Sequence, residues 1–209
     1  MRDMDSSNAH WRPSRSEIAA ARNRTIPDVT APKLRILFCG INPSLYSAAI
    51  GHHFGRPGNR FWPTLYAAGL TDRLLSPFED RLLLKLGYGI SNLVARATVS
   101  ADELTQSELI AGAGVLKRKA RRLKPACVAF LGVTAYRIAF RRKSAVVGRQ
   151  AESCGGSIVW ILPNPSGLNA HYQLADLTRI FVELGQAFGA RGALKFQRRL
   201  IRSRLMPRR

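Results

Sequence analysis

The stretch from Gly40 to Trp62, "GINPSLYSAAIGHHFGRPGNRFW", follows an apolar run (Leu34–Cys39) and is dense in groups that could do chemistry. It does so without a carboxylate: no Asp or Glu occurs between Val29 and Thr71. Asn42 offers an uncharged carbonyl acceptor and an amide donor, able to hold a water or a substrate amide but a feeble base. Phe54, followed by Gly55 and then Pro57-Gly58, could present its ring to a flat ligand. Ordinary core packing accounts for Phe54 equally well, and an Asx-type turn accounts for Asn42-Pro43. His52 and His53 are adjacent, so their side chains diverge in an extended segment. With no third ligand nearby, no metal site is expected.

A second segment, "PNPSGLNAHY" (163–172), has the Pro, Ser, Gly and Asn of a tight turn. Leu168 is its odd member, a large apolar side chain between Gly167 and Asn169. It either tucks back into the core or stands out as a wedge able to enter a base stack, flanked by hydrogen-bonding groups.

Something must position these segments. Lys33–Ile41 reads as a buried strand, Asn59–Gly69 and Pro77–Leu86 as helices, and Tyr88–Val94 as a short strand. Ser100–Lys124 reads as one long helix, opened by a capping box of Ser100 and Glu103. Ala126–Gly132 reads as a central strand, Thr134–Phe140 as a short helix, Ser157–Leu162 as the last strand, and Gln173–Phe188 as the closing helix, apolar at helical spacing. Strands separated by helices imply a parallel sheet covered on both faces. Such sheets bind ligands beyond the carboxyl ends of their strands, where both unusual segments fall.

Flanking this domain (33–189) are residues 1–32, mixed in charge and read as a flexible arm in which a short helix over Ser16–Asn23 fits, and residues 190–209, a basic tail with eight Arg/Lys and no acid. Over the whole chain 33 Lys+Arg against 13 Asp+Glu give a net charge of +20. That excess opposes compaction unless the partner is anionic, and nucleic acid is the first candidate. Deleting 190–209 is expected to flatten the salt dependence of binding without changing substrate ranking. The clusters Lys117–Lys124 and Arg141–Lys143 read either as solvated faces or as DNA contacts. Cys39, Cys127 and Cys154 form no C-x-x-C pair, which argues against zinc or an iron–sulfur cluster. Neither a secretory leader nor a membrane span is visible, and a reducing cytoplasm, with the nucleoid if the source is prokaryotic, is the expected location. Neither G-x-G-x-x-G nor G-x-x-x-x-G-K-[ST] is present, which argues against a nucleotide-binding α/β protein.

Gly40-Ile41-Asn42-Pro43, the "GHHFGRPGNRFW" loop and the later "NPSGL", in that order, resemble the mismatch-specific uracil-DNA glycosylase and thymine-DNA glycosylase family over roughly residues 33–189. The resemblance implies a three-layer α/β/α sandwich with a short, mainly parallel central sheet. It implies excision of uracil, or thymine, opposite guanine in double-stranded DNA after base flipping, by a monomer with no cofactor and no membrane partner. Carried over by position, Asn42 would place the attacking water and Phe54 would stack on the flipped base. Ile41 and Ser47 would line the pocket, with Asn92 near the base edge. Leu168 would fill the vacated place in the duplex, Gly167 and Asn169 would read the widowed guanine largely through backbone atoms, and Asn164 and Ser166 would hold phosphates. Ser44, Asn92, Ala95 and Ala170 stand where members of the family carry Gly, Lys, an acid and Arg. A branch acting on single strands, or a DNA-binding module without catalysis, would keep the same loops.

Overall fold

The computed structural model describes residues 12–189. The expected basic tail and residues 1–11 lie outside the described residues.

Two short helices, α1 (Arg15–Ala20) and α2 (Leu45–Ile50), flank the first strand, β1 (Ile36–Gly40). Helix α3 (Phe61–Ala67) follows, then a 3₁₀ segment over Pro77–Leu86 that turns into β2 (Tyr88–Asn92). A 3₁₀ turn at Ala101–Glu103 leads into α4 (Gln106–Leu123), β3 (Cys127–Leu131), α5 (Val133–Ala139), a hairpin of β4 (Gly148–Cys154) and β5 (Ser157–Leu162), and α6 (Leu174–Ala187). The sheet order is β2-β1-β3-β5-β4. All pairings are parallel except β4 with β5, so the expected mainly parallel sheet is present with one antiparallel edge.

Side chains that alternate along a strand build the two covered faces. Ile36 and Phe38 of β1, with Cys127, Ala129 and Leu131 of β3, pack under α3 and α6. Leu37 and Cys39, with Val128 and Phe130, pack under α4 and α5. Strands buried on both faces read as continuous apolar runs, which is why β1 and β3 stood out in the sequence. The arrangement is a three-layer α/β/α sandwich.

Three elements differ from their sequence reading. The expected helix over Ser100–Lys124 is two elements: Ser100 and Glu103 do form a capping box, but it caps only a 3₁₀ turn, and Thr105 with Glu108 makes a second box that starts α4. Two boxes five residues apart cannot serve one helix. The Pro77–Leu86 helix is 3₁₀ with a kink at Glu79. The expected arm is packed over residues 12–32: Ala21 and Ile26 are buried against Ala48 and Ala97, and Val29 exchanges two backbone hydrogen bonds with Ile90 (2.9 and 2.8 Å) along the outer edge of β2.

The basic run of α4 ends beside the start of β3, at the amino end of the sheet, where the Lys33 N–H donates to the Leu123 carbonyl (2.7 Å). Leu168 follows β5 at the carboxyl end, so this cluster and Leu168 sit at opposite ends of the sheet. Within the run, Lys119 is committed to an ion pair with Asp28 and to the Ser91 hydroxyl (2.7 Å).

Candidate active site

The carboxyl ends of β1, β2 and β3 open into a cavity of about 340 Å³. It gathers nine of the ten expected site residues: Ile41, Asn42, Ser47, Phe54 and Asn92 from one side, and Asn164, Ser166, Leu168 and Asn169 from the other. Gly167 does not line it. A Cβ placed there would come within 2.6 Å of the Gly58 carbonyl oxygen, so Gly167 is where the second loop touches the first.

Asn42 is held by a segment far away in sequence. Its Nδ2 donates to the Arg96 carbonyl (3.1 Å) and to Thr98 Oγ1 (2.7 Å). A carbonyl only accepts, so the amide orientation is settled: nitrogen towards Arg96 and Thr98, Oδ1 left as the acceptor. The Thr98 hydroxyl donates its own proton to the Ser100 carbonyl (2.7 Å), leaving a lone pair for Asn42. Arg96 is fixed in turn by a fork onto Glu108 and a bond to the Glu103 carbonyl. The Thr98 amide donates to the Pro43 carbonyl (3.2 Å), tying the two segments together.

Ser44 caps α2, and its hydroxyl donates to Ser47 Oγ (3.0 Å). Ser47 is buried and also accepts from the Gly55 N–H (3.0 Å), so both its lone pairs are occupied and its proton remains to be given. Phe54 adopts a left-handed backbone (φ 54°), uncommon for a bulky residue and a mark of local strain. One face of its ring stacks on Phe61, with centroids 4.0 Å apart, and Phe61 packs edge-on to Phe38 of β1. The first loop is thus braced by the core. At its base His52 Nδ1 meets the buried Asp80 carboxylate (3.0 Å), and Trp62 Nε1 donates to the His53 carbonyl (3.3 Å).

The second loop holds itself with its own polar groups. Asn164 Oδ1 accepts from the Ser166 N–H, Ser166 Oγ from the Leu168 N–H, and Asn169 Nδ2 donates to the Asn164 carbonyl. The Asn169 N–H donates to the Ser166 carbonyl, so the backbone of Asn169 is already engaged inside the loop. Leu168 is 69% exposed, so it does not tuck into the core. Arg60, not singled out in the sequence, ties this loop to the first: its guanidinium donates to the carbonyls of Ser166 (2.6 Å), Asn169 (2.7 Å) and Tyr172 (2.6 Å).

The cavity interior carries little charge. Arg56 and Asp102 line it from exposed positions at its rim, and Asp102 is the only carboxylate lining it among the described residues. Burial lowers the pKa of His53 and keeps its ring neutral, against the pull of its bond to the Pro27 carbonyl and of Asp80 and Asp28. The three cysteines are free and buried, away from the cavity lining, and burial raises the Cys127 thiol to about 12. Among the described residues no group of three or more His, Cys, Asp or Glu is placed to hold a metal ion, and no helix is long and apolar enough to cross a membrane.

Sequence reasoning missed Arg60, Arg96, Thr98 and Asp102. Nothing local marks them: Arg60, Arg96 and Thr98 act on loops distant in the chain, and Asp102, bonded locally to Ser100, reaches the cavity rim only through the fold.

A mainly parallel sheet covered on both faces carries, at its carboxyl end, a hydrogen-bonded pocket with little charge inside, the place where sheets of this class bind their ligands. Residues 27–185 match the family model described as the uracil DNA glycosylase superfamily, and the chain belongs to that superfamily. It is by class a DNA glycosylase, a repair hydrolase with DNA as its substrate. Among solved structures, the solution NMR structure of a candidate uracil DNA glycosylase from Methanosarcina acetivorans is similar at 21% identity and a TM-score of 0.49, covering 76% of this chain and 98% of that one.

Proposed function

We propose that the chain is a monofunctional glycosylase that flips uracil out of a G·U pair in duplex DNA and hydrolyses its N-glycosidic bond, leaving an abasic site. The observation that carries the reading is the amide of Asn42, held with Oδ1 as its free acceptor, in the same cavity as the strained, core-braced Phe54.

In this mechanism the C1′–N1 bond breaks and its electron pair leaves with uracil N1. Hydrogen bonds to the uracil oxygens stabilise the departing anion, and the Ser47 hydroxyl is a donor with its lone pairs already filled. The sugar cation needs only an oriented water, not hydroxide. Asn42 Oδ1 accepts a hydrogen bond from that water, the water oxygen bonds to C1′, and the surplus proton passes to solvent. A true carboxylate base contributes about 10²–10⁴-fold, so a site built on an amide is expected to be slow.

Leu168 favours duplex over single-stranded substrate. An exposed leucine at a loop tip beside the pocket suits the gap left by a flipped nucleotide. A mismatched pair costs less to open, which favours G·U over A·U.

The deciding experiment is single-turnover excision from G·U, A·U, G·T and undamaged duplexes and from single-stranded uracil DNA, with Asn42→Ala in parallel. Preference for G·U that is lost in Asn42→Ala, while duplex binding persists, is the expected result. Faster cleavage of the single strand would select the single-strand branch of the superfamily. Intact binding without cleavage of any substrate would select a non-catalytic DNA-binding module.

A further inference from the structure

At the amino end of the sheet, away from the candidate active site, a second cavity of about 470 Å³ opens between the end of α4 and the β4–β5 turn. Arg121, Lys124, Pro125, Gly155, Gly156 and Ser157 line it. Ser157 is 3% exposed, yet its hydroxyl has no hydrogen-bond partner among the described residues. A buried hydroxyl is costly to leave unpaired, and this one belongs to the cavity wall. Arg121 and Lys124 are exposed, and neither is paired with a carboxylate among the described residues, whereas Lys119 in the same run is committed to Asp28. Gly155 brings turn and helix together: a Cβ there would fall 2.6 Å from the Lys117 carbonyl oxygen and 2.8 Å from the Arg121 backbone nitrogen. Gly156 leaves the mouth open, for a Cβ there would meet nothing within 4 Å. Among the described residues no carboxylate lines the cavity. Cys154, just before the turn, registers the local field: burial raises its thiol to about 11, while Lys117 and Arg121 pull it down. Cations at a helix C-terminus also answer its dipole. The Leu123 carbonyl there is already taken by the Lys33 N–H, however, and the dipole does not account for the Ser157 hydroxyl.

We propose that this cavity binds one phosphate group, and that a nucleic-acid strand outside the active site supplies it. A phosphate oxygen accepts from the Ser157 hydroxyl, while the Arg121 guanidinium and the Lys124 ammonium offset the negative charge. An apolar ligand would leave the hydroxyl and both charges unpaired. The donors arrive from a helix, from its last turn and from a strand, three directions that suit tetrahedral oxygens better than a flat carboxylate. Nucleic acid is the source that the rest of the molecule favours. The chain carries a net charge of +20 and belongs to a superfamily that acts on DNA. Lys117, Arg118 and Arg122, exposed on the same stretch of α4, extend the positive surface beyond the cavity. The site lies at the opposite end of the sheet, roughly 17 Å away along β5. It therefore takes a segment other than the one whose base is flipped. The proposal goes beyond uracil excision and does not depend on whether the chain cleaves G·U.

The test follows the backbone amide signals of Gly155, Gly156 and Ser157 by NMR of the full chain at constant ionic strength. Inorganic phosphate is exchanged for chloride in one titration, and a short uracil-free single strand is added in another. The expected result is a saturable shift of these signals with phosphate, and a shift of the same signals at lower concentration with the strand. Ser157→Ala removes a hydroxyl and no charge. It is expected to weaken phosphate binding about fivefold, and Arg121→Gln about tenfold. Arg122→Gln, one residue along and outside the cavity lining, is the control and should change little. Neither Ser157→Ala nor Arg121→Gln should alter the single-turnover rate of uracil excision, and a slowed rate would contradict a site separate from catalysis. No saturable shift with phosphate, or native phosphate affinity in folded Ser157→Ala, would overturn the site and leave a solvated basic face. If Ser157→Ala does not fold, the two arginines decide: equal losses in Arg121→Gln and Arg122→Gln would show diffuse attraction and overturn the site. Phosphate binding with no response to the strand would overturn the nucleic-acid source and leave free phosphate as the ligand.

Discussion

The two loops at the carboxyl end of the sheet are built on opposite plans. The first, Gly40–Arg60, is anchored outward into the rest of the molecule: Asn42 to Arg96 and Thr98, His52 to Asp80, His53 to Pro27, Phe54 to Phe61. The second, Pro163–Tyr172, bonds mostly to itself and is joined to the first through Arg60, while its apolar tip stands in solvent. The difference fits the roles proposed for the two loops. A group that orients a water must hold its place to within a fraction of an ångström. A wedge has only to be stiff, exposed and apolar.

If that division holds, damage to the first loop should slow excision from every substrate, and damage to the tip of the second should matter only in a duplex. Asn42→Ala is expected to have the largest effect, a loss of about 10²–10⁴-fold in single-turnover rate on single- and double-stranded uracil DNA alike. A duplex-only loss would break the comparison.

Next in size, Leu168→Ala is expected to slow excision from G·U duplex by roughly 10–100-fold, since unstacking a base costs a few kcal/mol that the wedge helps offset. The rate on single strands should not change. Equal slowing on both would mean that Leu168 belongs to the pocket rather than to the duplex.

Arg60→Gln cuts the bond between the loops. Hydrogen bonds to a charged group are worth about 1.5–3 kcal/mol each, and three are lost together. Ser166, Asn169 and Tyr172 are only partly buried, so water replaces part of the loss and the expected cost in urea unfolding is below the sum, about 2–4 kcal/mol, with faster proteolysis near Gly167. Unchanged stability would show that the second loop holds its shape alone.

The smallest effect concerns pH. The folded-state pKa of His53 is lowered, chiefly by burial, from an ordinary value near 6.5. Below that value the unfolded chain takes up a proton that the folded ring resists. The contribution of His53 is therefore fully present above about pH 7 and declines as pH falls towards the folded value. Thermal unfolding followed from pH 8 to 5 should show this decline in the native chain and less of it in His53→Gln.

Much of the architecture was legible because its physics is local. Continuous apolar runs marked β1, β3 and β5, and helical spacing marked α6. Strand β4 was missed because an antiparallel edge strand half in solvent, "GRQAESC", has no apolar run to announce it. Helix α2 was missed although Ser44 at its start and the left-handed Gly51 at its end are cap signals. The packed segment 12–32 was read as an arm because its anchors, Ala21, Ile26 and Val29, are too few and scattered to form a pattern.

The sequence by itself determined which residue types stand at the site. The two motifs named eight residues that line one cavity, and Asn92 at the end of β2 joins them, because loops after parallel strands converge at the carboxyl end whatever their separation in the chain. Only the tertiary structure decided how those residues are oriented. Whether Asn42 presents oxygen or nitrogen depends on the carbonyl of Arg96 and the hydroxyl of Thr98. An amide has two ends of nearly equal shape and opposite polarity, so its direction is written not in its own residue but in the partners that folding brings to it.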